Sequence, residues 1–266
     1  MQNILAGHTN SYHTYTLDDA LKGIAEAGFK YVELSAVRGW TEHVPLEYTP
    51  ADIEEIKAKL EHWGLKPASL SGHSDLTTPE GVVDGKKAVD LCGEFGLSIL
   101  VTAVGGHASK DEDKSAFMAH IHDLASYAAD RAVTLSLEVH GDIMADGTRS
   151  VALIEEIGLP NVTINYDTAN CMFYGGVKAD EDIGLTLPYL THVHLKDTRG
   201  GFQEWDFPGV GQGNVNFKKV LQVLEEGGYE GPFSVEIEFD GTWPPVEGVH
   251  EAMRISYETL SKLGLK

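Results

Sequence analysis

Only two of the 266 residues are cysteine, Cys92 and Cys171, and they stand far apart in no CxxC pair. This argues against a disulfide framework and against a thiolate zinc site, and both read as small buried hydrophobes. The chain also lacks any run of eighteen or more apolar residues, so no membrane-spanning helix is expected. Its first residues enter strand-like sequence without a basic leader segment, and a soluble, cytoplasmic protein is expected. Basic residues are scarce. Twenty against 41 acidic residues leave a formal charge of −21, which repels a phosphate backbone and sets nucleic acid aside as a partner. The acidic residues are spread along segments such as Asp52-Ile53-Glu54-Glu55, where they serve as solvated helix surface.

What is there is a repeated alternation of short β-rich runs and amphipathic segments. Strands are expected at 3–7, 31–35, 67–71, 98–104, 134–140, 162–167, 192–196 and 233–239. Helices are expected at 17–27, with Gly28 as its stop, and at 50–63, 81–95, 114–132, 150–157, 180–187, 217–226 and 248–263. Eight units of about 33 residues each match the βαβ scale and predict an α/β fold, a single (β/α)8 TIM barrel in one domain spanning 1–266. An open nucleotide-binding sheet would carry a glycine-rich turn after its first strand, whereas Gly7-His8-Thr9-Asn10 has none. The spacing Gly209-x-Gly211-x-Gly213 lies in a long loop after strand seven, and its glycines read as turn-permitting.

Strands buried on both faces normally read as continuous apolar runs. The last four strands here do not. Leu135, Leu137 and Val139 alternate with Ser136, Glu138 and His140; Val162, Ile164 and Tyr166 with Thr163, Asn165 and Asp167. Val193 and Leu195 alternate with His192, His194 and Lys196, and Val235, Ile237 and Phe239 with Ser234, Glu236 and Glu238. The period of two gives each strand an apolar face for the helix layer and turns the polar face into the barrel axis. Glu138, Asp167, His194 and Glu236 are thereby aimed at one small volume, where buried carboxylates need a cation, and a divalent metal is the simplest one. Glu238 shares a face with Glu236 and could take its place.

At these residues the chain resembles the sugar phosphate isomerase/epimerase family of xylose-isomerase-like barrels, which includes ketose 3-epimerases and inosose dehydratases. The resemblance rests on Leu137-Glu138-Val139, Asn165-Tyr166-Asp167-Thr168, His192-Val193-His194-Leu195-Lys196-Asp197 and Ser234-Val235-Glu236, and covers nearly the whole chain. It implies that Glu138, Asp167, His194 and Glu236 bind one divalent metal. The apurinic endonucleases that share the fold bind three zinc ions, but Asn170 stands here where a zinc histidine would follow the strand-six aspartate, and Trp205-Asp206-Phe207-Pro208 lacks their Asp-x-His. Together with the net charge this disfavours a nuclease.

The expected activity is that of a metal-dependent isomerase or epimerase acting on a keto sugar or related polyol through an enediolate. One imidazole and three carboxylates suit Mn2+, Mg2+ or Co2+, with Zn2+ as the alternative. Glu138 and Glu236 are expected as base and acid, and Lys196 either as a catalytic stabiliser of the oxyanion or as a salt-bridge partner. His73, His107, His140 and His192 are candidates for substrate binding or for support of the site. Trp205, with Trp40 and Trp243, could stack on a sugar ring or make contacts to a second copy or a partner subunit. A dehydratase or lyase acting on keto-polyols or oxidised (3-keto) glycosides is the alternative, and a scaffolding barrel that keeps its metal for stability the less favoured one.

Overall fold

The computed structural model describes residues 3–105 and 111–265. All eight expected strands form: β1 (Leu5–His8), β2 (Tyr31–Ser35), β3 (Lys66–Ser71), β4 (Ile99–Thr102), β5 (Thr134–Glu138), β6 (Val162–Asp167), β7 (Leu190–Leu195) and β8 (Phe233–Val235). Each pairs in parallel with its sequence neighbour, and β8 returns to β1 to close the barrel. The helices α1 (Leu17–Ala27), α2 (Pro50–Trp63), α3 (Pro79–Phe95), α4 (Asp111–Ala129) and α5 (Gly147–Ile157) follow their strands. Thr16 and Thr49 close reciprocal capping boxes with Asp19 and Asp52 at the starts of α1 and α2. Gly28 ends α1 at φ 112°, a left-handed conformation that a side chain would strain.

The sixth unit departs from expectation. In place of one helix over 180–187 the chain forms α6 (Asn170–Gly175), a single turn α7 (Ala179–Asp182) and a 3-10 stretch over Ile183–Tyr189. Gly184 weakens a helix there and Pro188 cannot donate to its ladder, so the tighter turns take over. Asp182 ties the segment down, accepting from the Gly147 amide at 2.6 Å and the Tyr166 hydroxyl at 2.8 Å. The remaining helices, α8 (Phe217–Glu226) and α9 (Val246–Lys262), follow β7 and β8. The eighth strand is shorter than expected, because pairing stops at Val235 and the chain bends on to Phe239, whose φ is 52°.

The outward faces of the strands, among them Leu135, Leu137, Ile164, Val193, Leu195 and Val235, are fully buried under the helices. Each such side chain contributes about 1.5–3 kcal/mol on removal from water. The polar faces meet inside. Ser69 on β3 lies 3.0 Å from His192 on β7, and Glu33 on β2 lies 3.2 Å from His194 on β7, contacts between non-adjacent strands that only the barrel interior permits. None of the described helices is long and apolar enough to cross a membrane.

Candidate metal centre and substrate cavity

Strand register sets the centre. Asp167 pairs opposite His194 and His194 opposite Ser234, so alternation carries Glu236 to the same side one step further along. Glu138 ends β5 on the same inner face. Ligand atoms of Glu138, Asp167, His194 and Glu236 all lie within 4.8 Å of one another, and all four residues are buried.

His194 Nε2 faces Glu33, while its Nδ1 lies 3.3 Å from Glu138 Oε1, 3.5 Å from Glu236 Oε2 and 4.0 Å from Asp167 Oδ2. Asp167 Oδ1 accepts from the amides of Ala169 and Asn170, both at 2.8 Å, but its Oδ2 is buried with no hydrogen-bond partner. Three carboxylate oxygens and an imidazole nitrogen thus converge, with Asn170 donating to Glu138 Oε1 and Lys196 to Glu236 Oε2, both at 3.2 Å, and no donor for Asp167 Oδ2. This donor set fits a divalent cation.

Protonation shifts point the same way. Burial and the neighbouring Glu138 and Glu236 push the Asp167 carboxyl well above its ordinary range, against the pull of Lys196. Burial would lower the His194 pKa, but Glu33, Glu236 and Glu138 outweigh it and hold the ring well above an ordinary histidine. Burial likewise opposes ionisation of Glu138, yet His194 and His73 hold it well below the usual range. Without a cation, protons balance the charge.

The centre opens into a cavity of about 400 Å³ whose wall includes Glu138, Glu236, Glu238, Lys196, His73 and His140. Lys196 pairs with Glu238 and lies 3.2 Å from Glu236 Oε2, so of its two expected roles the structure shows the salt bridge. Of the two strand-eight glutamates, Glu236 joins the four-residue group. Glu238 lies outside the four-residue convergence, against Lys196.

A model of the xylose isomerase-like TIM barrel family matches residues 21–259. The chain belongs to that family. It is 28% identical over 239 residues to an L-ribulose 3-epimerase of Methylomonas sp. (strain DH-1), covering 82% of this chain and 77% of the relative. It is 24% identical over 259 residues to an inosose dehydratase of Clostridium botulinum, covering 85% and 83%. The crystal structure of a D-allulose 3-epimerase from Methylomonas sp. shares the fold, with a TM-score of 0.74, 23% identity and 98% of each chain covered. The protein is an enzyme of this superfamily.

In this xylose isomerase-like barrel the other candidate residues take separate places. His73 Nε2 sits 2.5 Å from Glu138 Oε2 and borders the cavity, as do His140, beside the Tyr174 hydroxyl at 3.1 Å, and Trp205 with Trp40. Trp243 instead packs against His13 and Trp40. Of the two roles open to His192, support of the site is the one its surroundings match: it is fully buried, bonded to Ser69 and to Asn165 at 2.9 Å, and not among the residues that line the cavity, two residues before His194 on its strand. His107 lies outside the described residues. The expectation of polar faces on four strands missed Glu33, His8 and Asn10. Asn10 donates to Glu236 Oε1 at 2.8 Å, and His8 Nδ1 lies 3.2 Å from the same oxygen. The signal for Glu33 was in the sequence, since Val32 and Leu34 alternate with Glu33 and Ser35 as in β5 to β8.

The glycine spacing in the loop after β7 serves an internal anion. Gly211, Gly213, Val215 and Thr198 donate backbone N–H groups at 2.8–3.0 Å to the buried Asp197 carboxylate. A Cβ on Gly213 would stand 2.4 Å from that carboxylate, so glycine is required for the approach.

Proposed function

We propose that the protein is a divalent-metal-dependent isomerase or epimerase of keto sugars, with Glu138, Asp167, His194 and Glu236 as ligands and a small sugar or polyol as substrate. The observation that carries this reading is the division of labour in two carboxylates. Glu138 turns Oε1 to the centre and holds Oε2 against His73; Glu236 turns Oε2 to the centre and holds Oε1 against Asn10. Both border the cavity, and they reach it from β5 and from the end of β8, on different sides of the mouth. A carbon carrying hydrogen and set between them meets a base on one face and an acid on the other. One carboxylate takes the proton while the C–H electron pair moves into the neighbouring carbonyl; the other relays a proton from solvent to the opposite face and inverts the centre, and the first then returns its own proton to solvent. A divalent ion, Mn2+, Mg2+ or Co2+ by the oxygen-rich donor set, would supply Lewis acidity to the carbonyl oxygen and so acidify the C–H beside it. The kinship with ketose 3-epimerases supports inversion at the carbon next to the ketone.

A second reading, a dehydratase or lyase, is favoured by the inosose dehydratase relatives and by the Lys196–Glu238 pair in the cavity wall, which offers a proton source for a leaving oxygen. Turnover of ketoses in D2O separates the two. Epimerisation places deuterium at the carbon beside the carbonyl with the skeleton intact, elimination yields a dehydrated or cleaved product, and Glu236→Gln with its metal retained loses the label. Epimerisation without label would indicate a hydride shift and refute the proton-transfer roles of Glu138 and Glu236.

A further inference from the structure

We infer that Glu33, on the strand facing the centre from across the barrel, is a positioning residue that fixes which ring nitrogen of His194 is left free to bind metal. It rests on the reading that Glu138, Asp167, His194 and Glu236 hold a divalent ion. Alternation along β2 buries Val32 and Leu34 outward and sets Glu33, fully buried, on the inner face. The groups that face its carboxylate are three imidazoles: His192 Nε2 at 3.2 Å from Oε2, His194 Nε2 at 3.2 Å from Oε1, and His8 Nε2 at 3.8 Å. Each of the three turns a ring nitrogen that can donate toward it, which leaves the carboxylate oxygens as the acceptors of the group.

An ionised carboxylate is an acceptor only, so both strand-seven rings must present N–H at Nε2. A neutral imidazole has one N–H, and His194 Nδ1 is then a lone pair aimed at the centre. The opposing tautomer has strong support of its own. A proton on Nδ1 would lie 3.3 Å from Glu138 Oε1 and 3.5 Å from Glu236 Oε2, so the ligand carboxylates themselves favour the form that blocks the site. A carboxylate behind the ring is what reverses that preference. His192 fits the same scheme. Its Nδ1 lies 2.9 Å from the Asn165 side-chain amide, whose N–H2 otherwise lacks a partner; with that amide turned, N–H2 donates to Nδ1 and His192 Nε2–H goes to Glu33. One buried carboxylate thereby sets both histidines of β7.

The test uses the full chain, MnCl2 titrated calorimetrically, and long-range nitrogen–proton NMR of 15N-histidine protein loaded with Mg2+. Folding of each variant is checked by a cooperative thermal melt. Glu33→Ala should weaken Mn2+ binding roughly 10–100-fold and give His194 a mixed tautomer signature. Should Glu33→Ala fail to fold, the isosteric Glu33→Gln decides: it sets an N–H2 donor against the Nε2 of His192 or of His194, and the ring that meets that donor must move its proton to Nδ1. Unchanged Mn2+ affinity in folded Glu33→Ala, or both rings keeping Nε2–H in Glu33→Gln, would overturn the role of Glu33 alone. Wild-type protein that binds no Mn2+ would overturn it together with the metal reading beneath it.

Discussion

Replacing Asp167 by Asn should move stability in opposite directions with and without metal. The substitution keeps an oxygen for the two backbone donors, Ala169 and Asn170, and exchanges the unpartnered Oδ2 for an N–H2 group. In the metal-free protein the carboxyl can stay beside Glu138 and Glu236 only by keeping a proton that it would release in the unfolded chain, a cost the amide does not carry, and the amide N–H2 donates toward the carboxylate oxygens. That cost is about 1.4 kcal/mol for each tenfold change in the ionisation constant, so the metal-free variant should be the more stable one, by roughly 1–2 kcal/mol at least. For a chain of this size that is a rise in Tm of roughly 2–8 °C. With metal the sign reverses. A divalent ion and a carboxylate about 4 Å apart at an effective dielectric near 20 attract by roughly 8 kcal/mol before desolvation is subtracted. If desolvation cancels half of it, about 4 kcal/mol remains, a roughly thousandfold loss of affinity. Scanning calorimetry of both proteins after chelation and at saturating Mn2+ gives all four melting temperatures. Wild type should gain far more from metal than the variant does. Equal metal-induced shifts, or a metal-free variant that melts below wild type, would refute the reasoning.

Metal binding at pH 7 should release at least one proton, because the centre otherwise holds His194 and Asp167 well above their ordinary pKa values. Calorimetric Mn2+ titrations in buffers of different ionisation enthalpy measure it, and a heat independent of buffer would count against it. The sign for the metal-free protein follows. The raised His194 contributes stability fully present below about pH 6.5 and lost as pH rises through its folded value, whereas the depressed Glu33 and Glu138 contribute stability present above about pH 4.3 and lost as pH falls through theirs. The raised Asp167 adds a contribution present below about pH 3.9 and lost as pH rises through its folded value, so metal-free stability should peak toward the acid end of that window, and chemical denaturation across pH should show it. Asp197→Ala strips the acceptor from four backbone donors and should cost roughly 2–4 kcal/mol in urea unfolding; a loss within error would show that water replaces the carboxylate.

By itself the sequence determined the strand and helix order and which face of each strand turns inward, because side-chain alternation is a local property with a period of two. That was enough to bring Glu138, Asp167, His194 and Glu236 under suspicion together, and the same rule applied to β2 would have added Glu33. It could not see the interrupted sixth unit, where Gly184 and Pro188 divide what the hydrophobic spacing joins. Nor could it rank residues along the barrel axis. His192 and His194, or Glu236 and Glu238, share a face and differ only in height, by about 6.6 Å at the usual strand rise. The four-residue centre takes one of each pair, whereas His192 meets His194 and Glu33 in a neighbouring group. Which one is decided by the stagger of strands paired far apart in sequence and by the bend after Val235, and those exist only once the barrel has closed.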